Sequence, residues 1–310
     1  MNLSVDRTRK KTMELTRKQF DILETLATEK EHLTQRELES ITGYSLGTVN
    51  RTLKELNELG FVEDGSISNS GVNALEPYRA KRAIFIAAGF GTRLVPITFN
   101  TPKPLVRVHG VRIIDRLIDA CLEAGINEIY IVRGYLGELF DQLLYKYPMI
   151  KFLENPVFNE ANNISSSLVA RYMLSNAYVF EADLLISNPK IIRKYHYTSD
   201  FLAIKKERSD DWCFQVRDGI IQEEKVGGEG DDIWQMVGIS YWNEADGHKL
   251  AQDIQEVYNS PGGKERYWEQ VPLVYKKEHY QVEVRACQDE DIVEIDTFNE
   301  LKSIDKTYDV

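Results

Sequence analysis

The chain has 310 residues, and 43% of them are hydrophobic, which suits a globular protein of about two domains with buried cores. Its formal net charge of −11 argues against a protein whose main role is to coat nucleic acid. The longest apolar runs are too short to span a membrane, residues 1–11 carry no stretch like a signal peptide, and the three cysteines are far apart. These features predict a cytoplasmic protein with reduced cysteines and no membrane contact.

Residues 1–80 are predicted to form a small domain of helices followed by a hairpin. Thr16, Thr34 and Ser45 each precede a segment with apolar residues at helical spacing, so we expect them to cap three helices. The Asp-Gly pair at 64–65 then separates two strand-like segments, which is a strong hairpin signal. The order helix, helix, turn, helix, hairpin is that of a winged helix-turn-helix domain.

The third predicted helix resembles the DNA-reading helix of bacterial winged-helix regulators. The resemblance rests on segments 33–38 and 45–56, and it implies that this helix enters the major groove of DNA. The side chains that would face DNA are Thr48, Asn50, Arg51 and Lys54. Residues 1–80 carry 11 basic and 13 acidic residues, whereas most DNA-binding modules are basic. A protein-contact or regulatory role on the same fold is therefore the alternative to DNA binding.

From Arg82 onward, short apolar segments alternate with helical segments, after a stretch at 69–79 that is predicted to be a linker or the end of the wing. Strands are predicted at 83–88, 128–132, 150–153 and 177–180, and helices at 113–124, 139–147 and 165–174. This alternation predicts an α/β domain at 81–310, with a mostly parallel sheet flanked by helices. Later strands at 201–204, 214–217 and 237–241 are expected to extend the sheet in antiparallel fashion.

A glycine-rich loop follows the first of these strands. The loop consists of Ala87, Ala88, Gly89, Phe90, Gly91, Thr92 and Arg93, and Lys103 lies further along the chain. Glycines at 89 and 91 let backbone N–H groups approach phosphate oxygens that a side chain would block. Arg93 and Lys103 can stabilise the charge that builds on an α-phosphate and on a leaving pyrophosphate. The pattern is neither a Walker loop nor a dinucleotide fingerprint, and it predicts a nucleoside triphosphate site of another kind.

This loop and the segment that follows it resemble the N-terminal part of the sugar-phosphate and choline-phosphate nucleotidyltransferases. The agreement in identity and spacing extends from Ile86 through the Pro-Lys-Pro-Leu run at 102–105 to Gly110. The resemblance implies a Rossmann-like, glycosyltransferase-A type sheet, with the nucleotide held by the glycine-rich loop and Lys103. Arg112 departs from the family pattern, in which many members have proline, and we expect it in a surface turn.

Two aspartates follow predicted strands at distant points of the chain. Asp183 comes just after the strand that ends at Phe180, and Asp296 follows an apolar segment that begins at Ile292. Both resemble metal-binding positions of the family, and Mg²⁺ typically takes one or two carboxylates in addition to substrate phosphates. The resemblance implies a Mg²⁺ cofactor at Asp183 and Asp296 and an in-line attack on the α-phosphorus, in which the protein mainly positions groups and stabilises charge.

The segment 159–168 resembles a polar segment of the bacterial choline-phosphate cytidylyltransferases that lies beside the nucleotide. This resemblance implies CTP as the nucleotide and contacts to it from Asn162 and Ser166. Asparagine and serine also favour helix N-termini, so a purely structural cap is the alternative interpretation.

Aromatic residues in the last third of the chain match positions of the same enzymes. They are Trp212, Trp242, Tyr267 and Trp268. Aromatic faces hold a quaternary ammonium with about 0.5–2 kcal/mol each, and Glu294, Asp211 or Glu269 would supply a nearby negative charge. The resemblance therefore implies transfer of CMP from CTP to phosphocholine, which gives CDP-choline and pyrophosphate, although tryptophans also commonly pack in protein cores.

Other functions stay open. One alternative is a cytidylyltransferase for 2-aminoethylphosphonate or phosphoethanolamine, which would require more hydrogen-bond acceptors and fewer aromatic side chains around the primary amine. A sugar-1-phosphate nucleotidyltransferase is a third possibility. The alternative of another class is a DNA-binding transcriptional regulator that uses the transferase fold as a ligand sensor. The presence of both Asp183 and Asp296 argues against this alternative, because a sensor does not need a metal-binding pair.

Overall fold

The computed structural model describes residues 14–29 and 32–309, so the prediction about a signal peptide at 1–11 lies outside the described residues. The chain divides into two compact units, Met1–Arg79 and Ala80–Val310. In the described parts of the chain, no helix has both the length and the apolar character that a membrane span requires.

The described residues of the first unit form four α-helices and a short hairpin. These elements are α1 (Arg17–Thr28), α2 (Gln35–Thr42), α3 (Leu46–Glu58), β1 (Val62–Glu63), β2 (Ser66–Ile67) and α4 (Asn69–Leu75). Thr16 and Thr34 both form capping boxes, in which the cap side chain and the third helical residue satisfy each other's backbone N–H groups. Ser45 caps α3 through its side chain. The three predicted caps are confirmed.

The hairpin of the first unit turns at Asp64 and Gly65, which have positive φ angles of 49° and 78°. This is the backbone that a two-residue hairpin turn requires, and it explains the Asp-Gly pair. The prediction of a linker after the hairpin is wrong, because 69–75 is helix α4, which Ser68 caps. The helix packs closely against the hairpin at Gly71. A Cβ at this position would lie only 2.3 Å from the carbonyl oxygen of Phe61.

The second unit is an α/β fold around a seven-stranded sheet. Its strands are β3 (Arg82–Ala87), β4 (Arg107–Val108), β5 (Val111–Arg112), β6 (Glu128–Arg133), β7 (Lys151–Glu154), β8 (Ala177–Glu181), β9 (Leu184–Ile186), β10 (Asp200–Arg217), β11 (Ile220–Trp242), β12 (Glu283–Cys287) and β13 (Ile292–Glu294). Its helices are α5 (Ile113–Glu123), α6 (Ile164–Ala170), α7 (Glu244–Tyr258) and α8 (Phe298–Ile304). The main sheet has the order β10-β12-β11-β8-β3-β6-β7.

The centre of the main sheet is parallel, as predicted. Strand β3 pairs in parallel with β6 and β8, and β6 pairs in parallel with β7. Strand β11 joins β8 in antiparallel fashion. Alternate residues of β3 belong to different cores: Ala83 and Phe85 to one, and Ile84 to another. Both faces of the sheet are therefore covered, which explains the continuous apolar runs of its central strands.

The sequence underestimates the antiparallel part of the sheet. The three short strands predicted there belong to two long strands, β10 and β11, which pair with each other along most of their lengths. Charged residues between 205 and 211 interrupt the apolar pattern, so the continuity of β10 is not visible from periodicity. The segment predicted as a helix at 139–147 forms a 3₁₀ helix at Gly137–Tyr145. The segment predicted as a helix at 165–174 forms α6, which ends at Ala170 and is followed by a 3₁₀ turn.

The sequence suggested that Arg112 lies in a surface turn, but the structure places it elsewhere. Its side chain is buried, donates to Asp115 Oδ2 at 2.9 Å and donates to Gln142 Oε1 at 3.1 Å. The prediction is wrong because Arg112 ends β5 directly before α5, where a buried carboxylate one turn later supplies its partner.

Candidate active site

The glycine-rich loop leaves the carboxyl end of β3 at the middle of the sheet. Gly91 adopts a left-handed backbone with a φ of 61°, which side chains disfavour. A Cβ at this position would also lie 3.0 Å from Cβ of Lys103. The glycine therefore allows both the turn and the close approach of the lysine that follows in the chain.

A cavity of about 590 Å³ opens at this loop. The predicted site residues that line it are Ala87, Gly89, Gly91, Thr92, Arg93, Lys103, Asn162, Asp183, Trp212, Tyr267, Glu294 and Asp296. A neighbouring cavity of about 550 Å³ shares Gly89 and Asn162 with the first, and it is lined by Ala88 and Ser166. Residues predicted from distant segments are thus brought together, and their individual roles stay predictions.

Lys103 lies between two carboxylates. Its Nζ atom is 2.7 Å from Asp183 Oδ2 and 3.3 Å from Asp296 Oδ1. Arg93 approaches the same Asp296 with two guanidinium nitrogens, at 2.7 and 2.9 Å. Burial by itself lowers the pKa of Lys103, but Asp183, Asp296 and Glu294 outweigh this effect and raise the pKa, so the lysine stays charged.

The pairing of two short strands brings the aspartates together. Strand β13 pairs with β9 in antiparallel register, so that Glu294 lies opposite Leu184. The N–H of Ile295 donates to the carbonyl of Asp183 at 3.3 Å, which continues the same pairing. Asp296 therefore lies close to Asp183, which stands between β8 and β9, although the two residues are far apart in sequence.

A cluster of carboxylates lies beside Lys103. Oxygen atoms of Glu181, Asp183 and Glu294 lie within 4.8 Å of one another. Burial raises the pKa of Glu181 well above its usual value and that of Glu294 to about 9, and in both cases Asp183 adds to the effect. Among the described residues, Asp183 Oδ1 is buried without a hydrogen-bond partner. A divalent cation fits these oxygens, because it would supply the missing partner and offset the crowded negative charge.

Sequence reasoning missed Glu181. It stands two residues before Asp183, at the end of the apolar strand β8, and its side chain lines the cavity. The sequence signal that could have identified Glu181 is a charged residue at the end of the otherwise apolar strand β8. Asp296, predicted as the second metal ligand, lies within hydrogen-bond distance of Arg93 and Lys103, and its role as a ligand stays a prediction.

The structure corrects the prediction that Trp242 and Trp268 contact the substrate. Their side chains are 0% and 3% exposed, and neither lines the cavity. They pack in the core with Phe201 and Tyr280. The reason is that Trp242 is the last residue of β11 and, like Trp268, belongs to the core that buried residues of α7 also form.

Only Trp212 and Tyr267, of the predicted aromatic residues, line the cavity, with their rings 5.7 Å apart. Asp211 and Glu269, the alternative carboxylates, line it as well. Glu269 Oε2 accepts a hydrogen bond from Asn163 Nδ2 at 3.3 Å, and burial raises the pKa of Glu269 to about 7. The cavity therefore has fewer aromatic walls than the sequence predicted, and all three candidate carboxylates, Asp211, Glu269 and Glu294, line it.

In the first unit, the predicted DNA-facing residues lie on α3. The side chains of Asn50, Arg51 and Lys54 are exposed, and Thr48 is half-buried. Their spacing places Asn50, Arg51 and Lys54 on one face of the helix, opposite the buried Val49, Thr52 and Leu56. This face is available for the contact that the sequence predicts.

The fold and the site define a nucleotidyltransferase preceded by a winged-helix domain. Residues 82–156 match the nucleotidyl transferase family model, and residues 14–66 match the MarR family model. The 2-aminoethylphosphonate cytidylyltransferase of Lancefieldella rimae is 35% identical over 230 residues, which cover 73% of this chain and 92% of that protein. The chain therefore belongs to the nucleotidyl transferase family, and its relatives include cytidylyltransferases.

Two further comparisons agree with this assignment. The choline-phosphate cytidylyltransferase of Streptococcus pneumoniae is 30% identical over 226 residues, which cover 73% of this chain and 97% of that protein. A solved structure of CTP:phosphocholine cytidylyltransferase from Streptococcus pneumoniae superposes with a TM-score of 0.67 at 30% identity, covering 74% of this chain and 99% of that chain. A UDP-glucose pyrophosphorylase structure, with a TM-score of 0.56 at 12% identity, shares the fold.

Proposed function

We propose that this protein transfers CMP from CTP to a small acceptor with a phosphonate or phosphate at one end and a primary amine at the other. In this proposal residues 81–310 carry the transfer and residues 1–80 form a winged-helix domain. The observation that carries the proposal is the position of Lys103, which holds Asp183 and Asp296 together beside the glycine-rich loop. Cytidylyltransferases among the relatives support CTP as the nucleotide.

The transfer is an in-line displacement at phosphorus. An oxygen of the acceptor forms a bond to the α-phosphorus of CTP while the bond to the β-phosphate oxygen breaks, and pyrophosphate leaves. The glycine-rich loop approaches the phosphates, and Arg93 and Lys103 stabilise the charge that develops on them. Asp183, with Glu181 and Glu294, would hold a Mg²⁺ ion, which when bound offsets phosphate charge. Asn162 and Ser166 are proposed to contact the nucleoside.

The composition of the cavity supports a primary amine rather than the quaternary ammonium of phosphocholine. An aromatic cage for choline needs several exposed ring faces, and two of the four predicted aromatic residues belong to the core. A primary ammonium has three N–H donors and requires acceptors, which Asp211 and Glu269 offer in the cavity. We therefore propose 2-aminoethylphosphonate or phosphoethanolamine as the acceptor substrate. Phosphocholine is the next candidate, and a sugar-1-phosphate is the last.

The experiment is a pyrophosphate-release assay on the full chain with CTP and Mg²⁺. Each of 2-aminoethylphosphonate, phosphoethanolamine and phosphocholine is supplied separately, and UTP replaces CTP in a parallel series. We expect a higher kcat/KM for the primary amines and for CTP. The absence of release with every acceptor would contradict the transferase, and a preference for phosphocholine would contradict the choice of amine.

A second candidate function is DNA binding by the first unit. The match to the MarR family and the exposed side chains of Asn50, Arg51 and Lys54 on α3 favour it. A gel-shift assay with DNA from the protein's own promoter region tests it, and Arg51→Ala is expected to weaken the complex. Lys18→Ala, which removes an exposed charge on α1, is the matched control. No shift at low salt would contradict this function.

A further inference from the structure

Asn163 stands directly before helix α6, a position at which asparagine commonly caps a helix. Its side chain makes no capping hydrogen bond, so capping does not account for this asparagine. Instead, Oδ1 accepts a hydrogen bond from the N–H of Trp268 at 2.8 Å, and Nδ2 donates one to Glu269 Oε2 at 3.3 Å. Both ends of the amide therefore bind a segment that follows 105 and 106 residues later in the chain.

Asn162, the preceding residue, contacts the beginning of the same segment. Its backbone N–H donates to the carbonyl of Lys264 at 2.7 Å, and its Nδ2 donates to the carbonyl of Glu265 at 3.1 Å. Lys264 and Glu265 line the cavity of about 550 Å³, Glu269 lines the cavity of about 590 Å³, and both asparagines line both cavities. The two asparagines thus form part of the wall between the cavities and connect it to one continuous segment.

The residues that Asn163 contacts belong alternately to the core and to the cavity. The ring of Trp268 is buried and packs against Phe201, with the ring centroids 6.1 Å apart, whereas Tyr267 and Glu269 on either side of it line the cavity. Burial raises the pKa of Glu269 to about 7, and the hydrogen bond from Asn163 opposes this rise. The contact therefore fixes the carboxylate at the cavity wall and favours its ionised form.

We infer that Asn163 is a positioning residue, which holds the Glu269 carboxylate where the ammonium group of the acceptor binds. This inference rests on the proposed function, in which Glu269 is one of the hydrogen-bond acceptors for that group. A glutamate side chain loses rotational freedom when it binds a ligand, and a carboxylate that is already oriented avoids part of this cost. Recognition of the acceptor therefore depends on a residue of the segment that also lines the proposed nucleoside cavity.

The first test compares steady-state kinetics of the wild type and Asn163→Ala, as full chains, with CTP, Mg²⁺ and 2-aminoethylphosphonate. We expect the KM for 2-aminoethylphosphonate to rise about tenfold, because the hydrogen bond to a charged group is lost, while the KM for CTP changes less than about twofold. Asn259→Ala, at an exposed asparagine next to helix α7, is the matched control and should leave both KM values unchanged.

A second variant, Asn163→Asp, separates the two hydrogen bonds of the amide. Aspartate keeps an oxygen that accepts from the N–H of Trp268, but it cannot donate to Glu269 and places a second negative charge beside it. We expect the KM for 2-aminoethylphosphonate to rise at least as much as in Asn163→Ala. A wild-type KM in Asn163→Asp would show that only the backbone contact matters, and it would overturn the inference.

A double-mutant cycle tests whether Asn163 acts through Glu269. In Glu269→Ala the partner is already absent, so adding Asn163→Ala should raise the KM for 2-aminoethylphosphonate by less than about twofold further. If the two substitutions instead multiply their separate effects on this KM, Asn163 acts independently of Glu269 and the inference is overturned.

The outcomes separate the inference from the proposed function. If the wild type releases no pyrophosphate with any acceptor, the proposed function fails and the role of Asn163 fails with it. If the wild type turns over 2-aminoethylphosphonate, and Asn163→Ala has the same KM for it, the transferase stands and the positioning role is overturned. Equal increases of the KM values for CTP and for 2-aminoethylphosphonate in Asn163→Ala would indicate a general structural role and would overturn it as well.

Discussion

The ammonium group of Lys103 donates a hydrogen bond to Asp183 Oδ2 over 2.7 Å, from a side chain that is only 10% exposed. The same nitrogen reaches Asp296 at 3.3 Å. A single buried cation thus connects two carboxylates that follow two different strands, β8 and β13, next to the glycine-rich loop. Its charge is needed both to hold this arrangement and, in the proposed reaction, to stabilise the phosphates.

Lys103→Met is expected to lower kcat by about 10²–10³-fold, because it removes a preorganised positive charge next to the phosphates. The measurement is pyrophosphate release at saturating CTP. Lys190→Met, which changes an exposed lysine, serves as the control and should retain wild-type kcat. A kcat close to that of the wild type in Lys103→Met would remove this lysine from the chemistry.

Asp183→Ala is expected to abolish turnover and to leave the fold intact. The side chain is at the surface of the cavity rather than in a hydrophobic core, and it has one unpartnered oxygen among the described residues. Activity as a function of Mg²⁺ concentration and circular dichroism provide the two readouts, and chelation of Mg²⁺ should abolish wild-type activity. Asp289→Ala, at a largely exposed aspartate, is the control. Near-normal activity of Asp183→Ala would exclude it from a metal site.

The two tryptophans Trp212 and Trp242 are expected to respond in opposite ways to substitution by alanine. Trp212→Ala should raise the KM for the acceptor more than the KM for CTP, because the ring lines the cavity. Trp242→Ala should instead lower the free energy of unfolding by about 3–5 kcal/mol, because its ring is fully buried. Kinetics and thermal unfolding of both variants distinguish the roles. Equal changes of both KM values in Trp212→Ala would indicate packing rather than substrate contact.

A buried ion pair in the second unit predicts a pH-dependent stability. Arg285 donates to Asp200 Oδ1 at 3.0 Å, and His196 lies 2.6 Å from the other oxygen. Burial alone would raise the pKa of Asp200, but Arg285 and His196 outweigh it and lower the pKa to about 2. Since the pKa of this carboxyl group is lower in the folded than in the unfolded state, its contribution is present above pH ~4 and is lost as the pH falls towards 2.

Arg285→Met is therefore expected to destabilise the protein by about 3–5 kcal/mol near neutral pH, because it leaves a buried charge without its partner. The difference from the wild type should shrink as the pH falls below 4. Thermal unfolding over this pH range measures it, and Arg217→Met, at an arginine that is 85% exposed, is the control. A difference that does not change with pH would contradict the assigned role of Asp200.

Features that depend on neighbouring residues in the chain were predictable. The caps at Thr16, Thr34 and Ser45 and the turn at 64–65 are confirmed, because each depends on hydrogen bonds or backbone angles within a few residues. Helix α4 was not predicted, because it depends on the close packing of Gly71 against the hairpin, which the local sequence does not show. Arg112 was misplaced because the sequence does not show that its side chain is buried between the local partner Asp115 and a second partner, Gln142, from another segment.

The sequence by itself determined the class of protein, because the glycine-rich loop and the residues that follow it form one continuous segment whose spacing is chemically specific. Only the tertiary structure decided which side chains reach the cavity. It buried Trp242 and Trp268, brought Glu181 and Glu294 beside Asp183, and joined Asn163 to Glu269. The physical reason is that the orientation of a side chain depends on strand register and on the layer that covers each face of the sheet, and both result from pairings between distant segments.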